Sequence, residues 1–176
     1  MIHPFHRHTF APLLLGVGLL LSGCDFFPED EAERRSFAIP IATRTANLEL
    51  ALTISQRQAG LQRRLELEKD SGMAFVFEVP QKASFWMRNT TIPLDIGYFT
   101  GDGILREVHQ MYPNVEVPVQ SFRNDIVIAV EMNQGWFQKN GIRPGDPLDL
   151  NRLMEGIEAS GEDPADYPLR AGRALR

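Results

Sequence analysis

One carboxylate interrupts an otherwise apolar run. In Ile126-Val127-Ile128-Ala129-Val130-Glu131-Met132 both alternating sets of side chains are apolar until Glu131. An extended segment of that kind is buried on both faces, so the charge needs an answering group. Arg64, Arg88 or a backbone amide could supply it, which would make Glu131 half of a buried ion pair. The chemical alternative pairs Glu131 with Asp95. Two carboxylates sharing a cleft, about 5 to 9.5 Å apart, would suit a metal-independent hydrolase or lyase acting on envelope glycan.

A second group of candidates lies in Phe85-Trp86-Met87-Arg88-Asn89-Thr90. On a strand, Trp86, Arg88 and Thr90 would share one face, and Phe85, Met87 and Asn89 the other. If Phe85 and Met87 point inward, Trp86 and Arg88 stand together outside as an indole and guanidinium platform for sugars, rings or carboxylates. The opposing reading makes Trp86 a core anchor and pairs Arg88 with Asp95 to pin the loop around Pro93. Asn89 and Thr90 would then bond their own backbone as turn residues. Arg64, Trp86, Arg88, Asn89 and Asp95 are therefore the candidate ligand-binding residues.

The residue inventory removes other chemistries. Of four histidines, His3, His6 and His8 stand in the first eight residues, and Cys24 is the single cysteine. If the leader is cleaved and Cys24 modified, only His109 remains and no thiol. A zinc site of His and Cys and a Cys-His pair are then unavailable, and a Ser-His-Asp triad could be built only around His109. His109 follows Ile104-Leu105-Arg106-Glu107-Val108, an apolar alternation, and reads as a strand residue near the surface. No metal and no cofactor is expected.

The leader carries Arg7 and no acid before Asp25, and Leu13-Leu14-Leu15-Gly16-Val17-Gly18-Leu19-Leu20-Leu21 forms an apolar run. That run falls short of the roughly 20 residues of a membrane span and suits an export signal over 1–23. Leu21-Ser22-Gly23-Cys24 resembles the lipobox of bacterial lipoproteins. It implies lipidation of Cys24, which also accounts for a thiol without a disulfide partner. Two or more acyl chains would anchor the protein stably, exported and facing the periplasm. Asp25 resembles the inner-membrane retention signal of enterobacterial lipoproteins, although the rule differs between bacteria and leaves the outer membrane open. The partner implied is thus the membrane, through the lipid on Cys24. The chain has 18 Lys and Arg against 23 Asp and Glu, a net charge of -5, and loss of 1–23 removes Arg7 and no acid. A scattered minority of cations argues against nucleic acid as a partner.

Positioning these residues falls to one domain. Residues 24–36 form a charge-rich linker behind the lipid, 37–150 have the length of one domain, and 151–176 read as a short helix and a disordered tail. Leu48, Leu50, Leu52 and Ile54 alternate with less apolar neighbours and predict a strand. Ser55 with Gln58 resembles a capping box opening a helix through Leu61 and Leu65. Further strands are expected over Met73 to Glu78, Ala83 to Arg88, Leu94 to Phe99, Gly103 to Gln110, Asp125 to Met132 and Pro147 to Leu150. Gly101-Asp102-Gly103 reads as a hairpin turn, and Gly135 to Asn140 as a helical turn closed by Gly141. The fold class is mainly β, α+β by count: a compact single-domain barrel or sandwich with two short helices.

Four stretches carry a resemblance: Gly60-Leu61-Gln62-Arg63-Arg64; Gly72-Met73-Ala74-Phe75-Val76-Phe77; Ser84-Phe85-Trp86-Met87-Arg88-Asn89-Thr90 running into Ile92-Pro93-Leu94-Asp95-Ile96; and Val130-Glu131-Met132-Asn133-Gln134-Gly135. In order and spacing, over about Leu48 to Leu150, they resemble the domain of unknown function 192 (DUF192). The resemblance implies a mostly β fold and no established activity. Gln62 departs from it, standing where that pattern usually has Met. Three functions fit these readings: a membrane-tethered binding or accessory module for a small ligand, glycan or envelope protein; a carboxylate hydrolase or lyase; and a purely structural piece of the envelope.

Overall fold

The computed structural model describes residues 35–170. Cys24 and the leader lie outside the described residues. Among the described residues there are eight strands: β1 Ser36–Ile41, β2 Arg44–Ala51, β3 Ser71–Gln81, β4 Ser84–Phe85, β5 Leu94–Thr100, β6 Leu105–Met111, β7 Val119–Gln120 and β8 Ile126–Asn133. Three α-helices accompany them: α1 Ile54–Ala59, α2 Trp136–Lys139 and α3 Leu150–Ala159. Six strands form one mixed sheet in the order β1-β2-β3-β8-β5-β6, and β4 pairs with β7 in a small second sheet. β2 and β3 run parallel, joined through α1, while the other neighbours are antiparallel.

The mainly β class holds, but the large sheet is not closed into a barrel. Its outer strands β1 and β6 do not pair. Both are met instead by one segment near the end of the domain. Ala42 N–H donates to the Pro147 carbonyl and Asp149 N–H to that of Pro40, while Leu148 N–H donates to the Gly103 carbonyl and Leu105 N–H to that of Asp146. The strand expected over Pro147 to Leu150 is therefore two isolated bridges, Ile41 to Leu148 and Ile104 to Pro147. Splitting its bonds between two edges leaves no ladder along either.

Both faces of the sheet are dry, because β3, β5 and β8 present apolar residues in both alternating sets. One face, with Leu48, Val130, Met132 and Phe99, packs under α2 and α3. The other, with Phe75, Ile96, Tyr98 and Ala129, is covered by Leu61, Ala83, Met87 and Ile92 from the connecting segments. Burying two apolar layers at about 25 cal/mol per Å² is the main source of stability available to such a domain.

Local chemistry explains where the expected elements move. The capping box is Thr53 with Gln56, not Ser55 with Gln58: Thr53 Oγ1 accepts from Gln56 N–H at 3.2 Å, and Gln56 Oε1 from Thr53 N–H at 2.9 Å. The helix stops at Ala59 rather than passing Leu65, because Gly60 and Arg63 both have positive φ, leaving Leu65 90% exposed. The strand expected over Ala83 to Arg88 is only Ser84–Phe85. Beyond α3 the chain continues in order as far as it is described: Pro164–Asp166 forms a 3-10 turn, Tyr167 packs into the first core, and Arg170 N–H donates to the Gly101 carbonyl.

Gly72 fixes the approach of β3 to β8. A Cβ there would stand 2.3 Å from the Glu131 carbonyl oxygen and 2.4 Å from Met132 Sδ. Backbone cannot yield that distance without opening the sheet. Gly72→Ala is expected to destabilise the domain by about 1 to 3 kcal/mol, the usual cost of overpacking, measured by chemical denaturation. An unchanged midpoint would refute this account of the β3 and β8 contact.

Candidate functional site

The candidate site is a groove of about 830 Å³ on the second core's face. One wall is α1 and the turn after it, from Arg57 to Gln62. The opposite wall is the end of β3 with Lys82 to Trp86, and Arg88 and Thr90 complete it. Phe75, Phe77 and Phe85 are among the side chains that line it. Phe75 and Phe85 meet edge to face with centroids 4.9 Å apart, and Phe77 lies 6.5 Å from Phe85.

Trp86 stands on the lip, 48% exposed, with the Arg88 guanidinium over its ring at 4.3 Å. The indole is thus not the core anchor, and Arg88 does not pair with Asp95. Alternation holds from Phe85 to Arg88, since Met87 is buried and Trp86 and Arg88 point out. It reverses afterwards because Asn89 adopts positive φ, turning Thr90 inward and Asn89 outward. Asn89 holds the two walls together: its carbonyl accepts from Arg63 N–H at 2.7 Å and its Nδ2 donates to Gln62 Oε1 at 3.4 Å.

Glu131 lies at the groove floor, 5% exposed. Burial pushes its carboxyl up to about 8, and the Arg64 charge opposes that rise without cancelling it. Glu131 is therefore a neutral acid at neutral pH. Arg64 itself is held in a bidentate pair with Glu49, at 2.5 and 2.6 Å, and does not line the groove. Above β5, burial pushes the Tyr98 phenol well above its ordinary range, helped by Glu107 and, once it ionises, Glu131, and the phenol donates to the Val119 carbonyl at 2.9 Å.

Asp95 belongs elsewhere. On β5 it registers with Met132, whereas Glu131 registers with Ile96, so the two carboxylates leave the sheet on opposite faces. They share no cleft, and an acid and base pair made of them is excluded. Asp95 Oδ2 accepts from Gly135 N–H at 2.7 Å, while Oδ1 is buried without a hydrogen-bond partner. Burial raises its pKa, against the Gly135 hydrogen bond and the Lys139 charge. Its place is the start of α2, not the groove.

His109 is also structural. Its Nε2 lies 2.8 Å from Glu107 Oε2, and its ring sits between Tyr98 and Phe122. Burial pushes the Glu107 carboxyl up, but the Phe122 and Arg123 N–H groups and His109 outweigh it and hold the pKa below the ordinary value. This clamp anchors the return of the chain toward β8. Among the described residues no three His, Cys, Asp or Glu side chains gather to hold a metal.

The family model for DUF192, whose description reads "Uncharacterized ACR", matches residues 38–150. The chain belongs to the DUF192 family. A solved protein from Sinorhizobium meliloti 1021, for which a role as transcription regulator has been suggested, is 30% identical. It aligns over 68% of this chain and 96% of its own with a TM-score of 0.64. A protein of unknown function from Novosphingobium aromaticivorans DSM 12444 is 31% identical, with 65% and 84% covered and a TM-score of 0.62. No curated protein matches this chain. Within the DUF192 domain, the residue that departs from the family resemblance, Gln62, lies on the groove wall, its Nε2 donating to the Gln58 carbonyl at 2.7 Å.

Sequence reasoning found Trp86, Arg88 and Glu131 but missed Arg57, Phe75, Phe77, Lys82 and Phe85 as groove residues. Only the alternation of Phe75 and Phe77 hinted at them. The floor acid yields a sign-definite prediction. An unfolded chain ionises Glu131 near its ordinary value of 4.5, while the folded protein keeps the proton to about 8. Between those values the unfolded state binds fewer protons, so stability falls as pH rises, by up to about 1.4 kcal/mol per pH unit. Glu131→Gln should flatten that part of the profile in denaturation series from pH 5 to 8; parallel profiles for both proteins would contradict it.

Proposed function

We propose that this protein is a lipid-tethered binding module of the bacterial envelope, whose groove beside Trp86 and Arg88 captures a small ligand or a glycan. The observation that carries the reading is the exposed indole stacked with a guanidinium at 4.3 Å, on the lip of an open groove with a buried acid at its floor. Concave sites of several hundred Å³ in which aromatic side chains stand beside polar groups that fix orientation are a usual form of small-ligand sites. Trp86 offers a face, Arg88 a planar fork, and neutral Glu131 a proton to donate or an oxygen to accept.

The tether rests on Leu21-Ser22-Gly23-Cys24 behind an apolar leader, with no helix among the described residues long and apolar enough to cross a membrane. Lipidation of Cys24 and export to the periplasmic side, at the inner membrane given Asp25, belong to the proposal. A purely structural role fits less well, since it gives no part to an exposed Trp86 with Arg88 over its ring at the edge of a groove. Binding of nucleic acid is not part of this function. The chain is net acidic, and Arg57, Arg64, Arg106, Arg123 and Arg152 are each committed to a carboxylate.

Two measurements test the proposal. Cys24→Ser should move the full chain from the membrane to the soluble fraction, and retained membrane association would refute the tether. Native mass spectrometry of the full chain purified from its host in detergent should show a bound small molecule that is lost in Arg88→Ala. A protein that is consistently empty, or a ligand indifferent to Arg88, would refute the groove as the site.

A further inference from the structure

The charges around the groove do not follow those of the chain. The protein is net negative, yet the groove carries Arg57, Lys82 and Arg88 against Glu78 and a Glu131 that burial keeps neutral. Arg57 is spent internally: it pairs with Glu78 at 3.1 Å and donates to the Leu52 and Val76 carbonyls. Lys82 and Arg88 are not. Neither has a carboxylate partner among the described residues, and both side chains are exposed on the same groove.

Arg88 is also presented in a particular way. Exposed, and with its guanidinium over the indole, Arg88 offers the planar fork that can take a carboxylate through two parallel hydrogen bonds. An acid group held there would have Trp86 and the Phe85 ring beside it and the floor acid below. The walls are mixed rather than greasy: Gln58, Gln62, Gln81 and Ser84 alternate with the aromatic rings. A purely apolar acid would leave the Gln58 and Gln81 amides and the Ser84 hydroxyl unanswered, at a cost for each that is desolvated. A pyranose meets both requirements, with C–H faces for the rings and hydroxyls for the amides.

Resting on the reading of this groove as a ligand site, we propose that it selects acidic sugars, pyranoses bearing a carboxylate, with the acid taken by Arg88 and Lys82 and the ring laid against Trp86 and Phe85. The protein is thereby a receptor for the acidic component of an envelope glycan or its breakdown products.

The chain has two tryptophans, and they divide the labour of a test. Trp86 reports the groove, while Trp136 is buried with its Nε1 donating to Asp70 at 3.0 Å and serves as a fold reference. Full chain in detergent would be titrated with galacturonic acid and N-acetylmuramic acid, with galactose and N-acetylglucosamine as neutral counterparts, and with acetate alone. Trp86→Phe assigns the signal. The acidic sugars should bind at least tenfold more tightly than the neutral ones, and Arg88→Ala and Lys82→Ala should each remove most of that preference without altering the Trp136 emission. Equal binding of acidic and neutral sugars would overturn the inference while leaving the groove a sugar site. Acetate binding as tightly as the acidic sugars would overturn it in favour of a plain anion site. Silence from all five probes would overturn it together with the glycan reading of the groove.

Discussion

A strand in the middle of a sheet, covered on both faces, can carry an ionisable group only where the rest of the fold accommodates it, and β8 does so at Glu131. The alternation of Ile126 to Met132 commits both sides of that strand to apolar packing. Everything else is arranged around the consequence. β3 and β5 must flank β8 to satisfy its backbone, two separate cores must cover its faces, and the position of Glu131 must be either paired or neutral. The structure uses neutrality, with Arg64 near enough to moderate the effect but already engaged with Glu49. An acid that holds its proton at neutral pH is an unusual surface to offer, and it lies where the second core opens into a groove.

The opening itself comes from an incomplete cover. On the first face, α2 and α3 lie across the sheet and close it. On the second face the cover is made of connecting segments: the turn after α1, the chain around Met87 and Ile92, and the small β4 and β7 sheet. Segments of that kind cannot tile a surface as a helix does. They are fixed instead by discrete polar contacts, such as Asn89 to Arg63, Tyr98 to Val119 and the Glu107 clamp on Phe122 and Arg123. Between those fixed points a gap remains, lined by whatever the segments present. Trp86 and Arg88 are presented outward because Phe85 and Met87 are required inward.

The legible parts of this architecture were those written in local periodicity. Strands β5, β6 and β8 and the hairpin at Asp102-Gly103 follow from alternation and turn chemistry, and the side of Trp86 and Arg88 was one of two readings the sequence allowed. Strand β1 was hidden because Pro40 interrupts the alternation of Phe37, Ile39 and Ile41. That proline is tolerated since β1 is the edge strand of the large sheet, and the bonds that meet its outer side around Ile41 ask for no N–H from Pro40. The parallel pairing of β2 with β3 was not legible, since orientation depends on how the α1 crossover packs rather than on any short motif. Nor was the groove, whose walls come from stretches far apart in sequence. The separation of Asp95 from Glu131 could be known only once register was known, because a shift of one residue between β5 and β8 would have put them on the same face.

The segment from Gly145 to Asp149, which touches both margins of the large sheet, has a bearing on how the molecule is made. Until those residues have emerged and docked, β1 and β6 each present a row of unanswered backbone groups to whatever is nearby. Since β1 lies near the start of the domain and the latch near its end, closure joins parts of the chain more than a hundred residues apart and must come late. Chains in which that segment has not yet docked are therefore the form most open to pairing with one another along either margin.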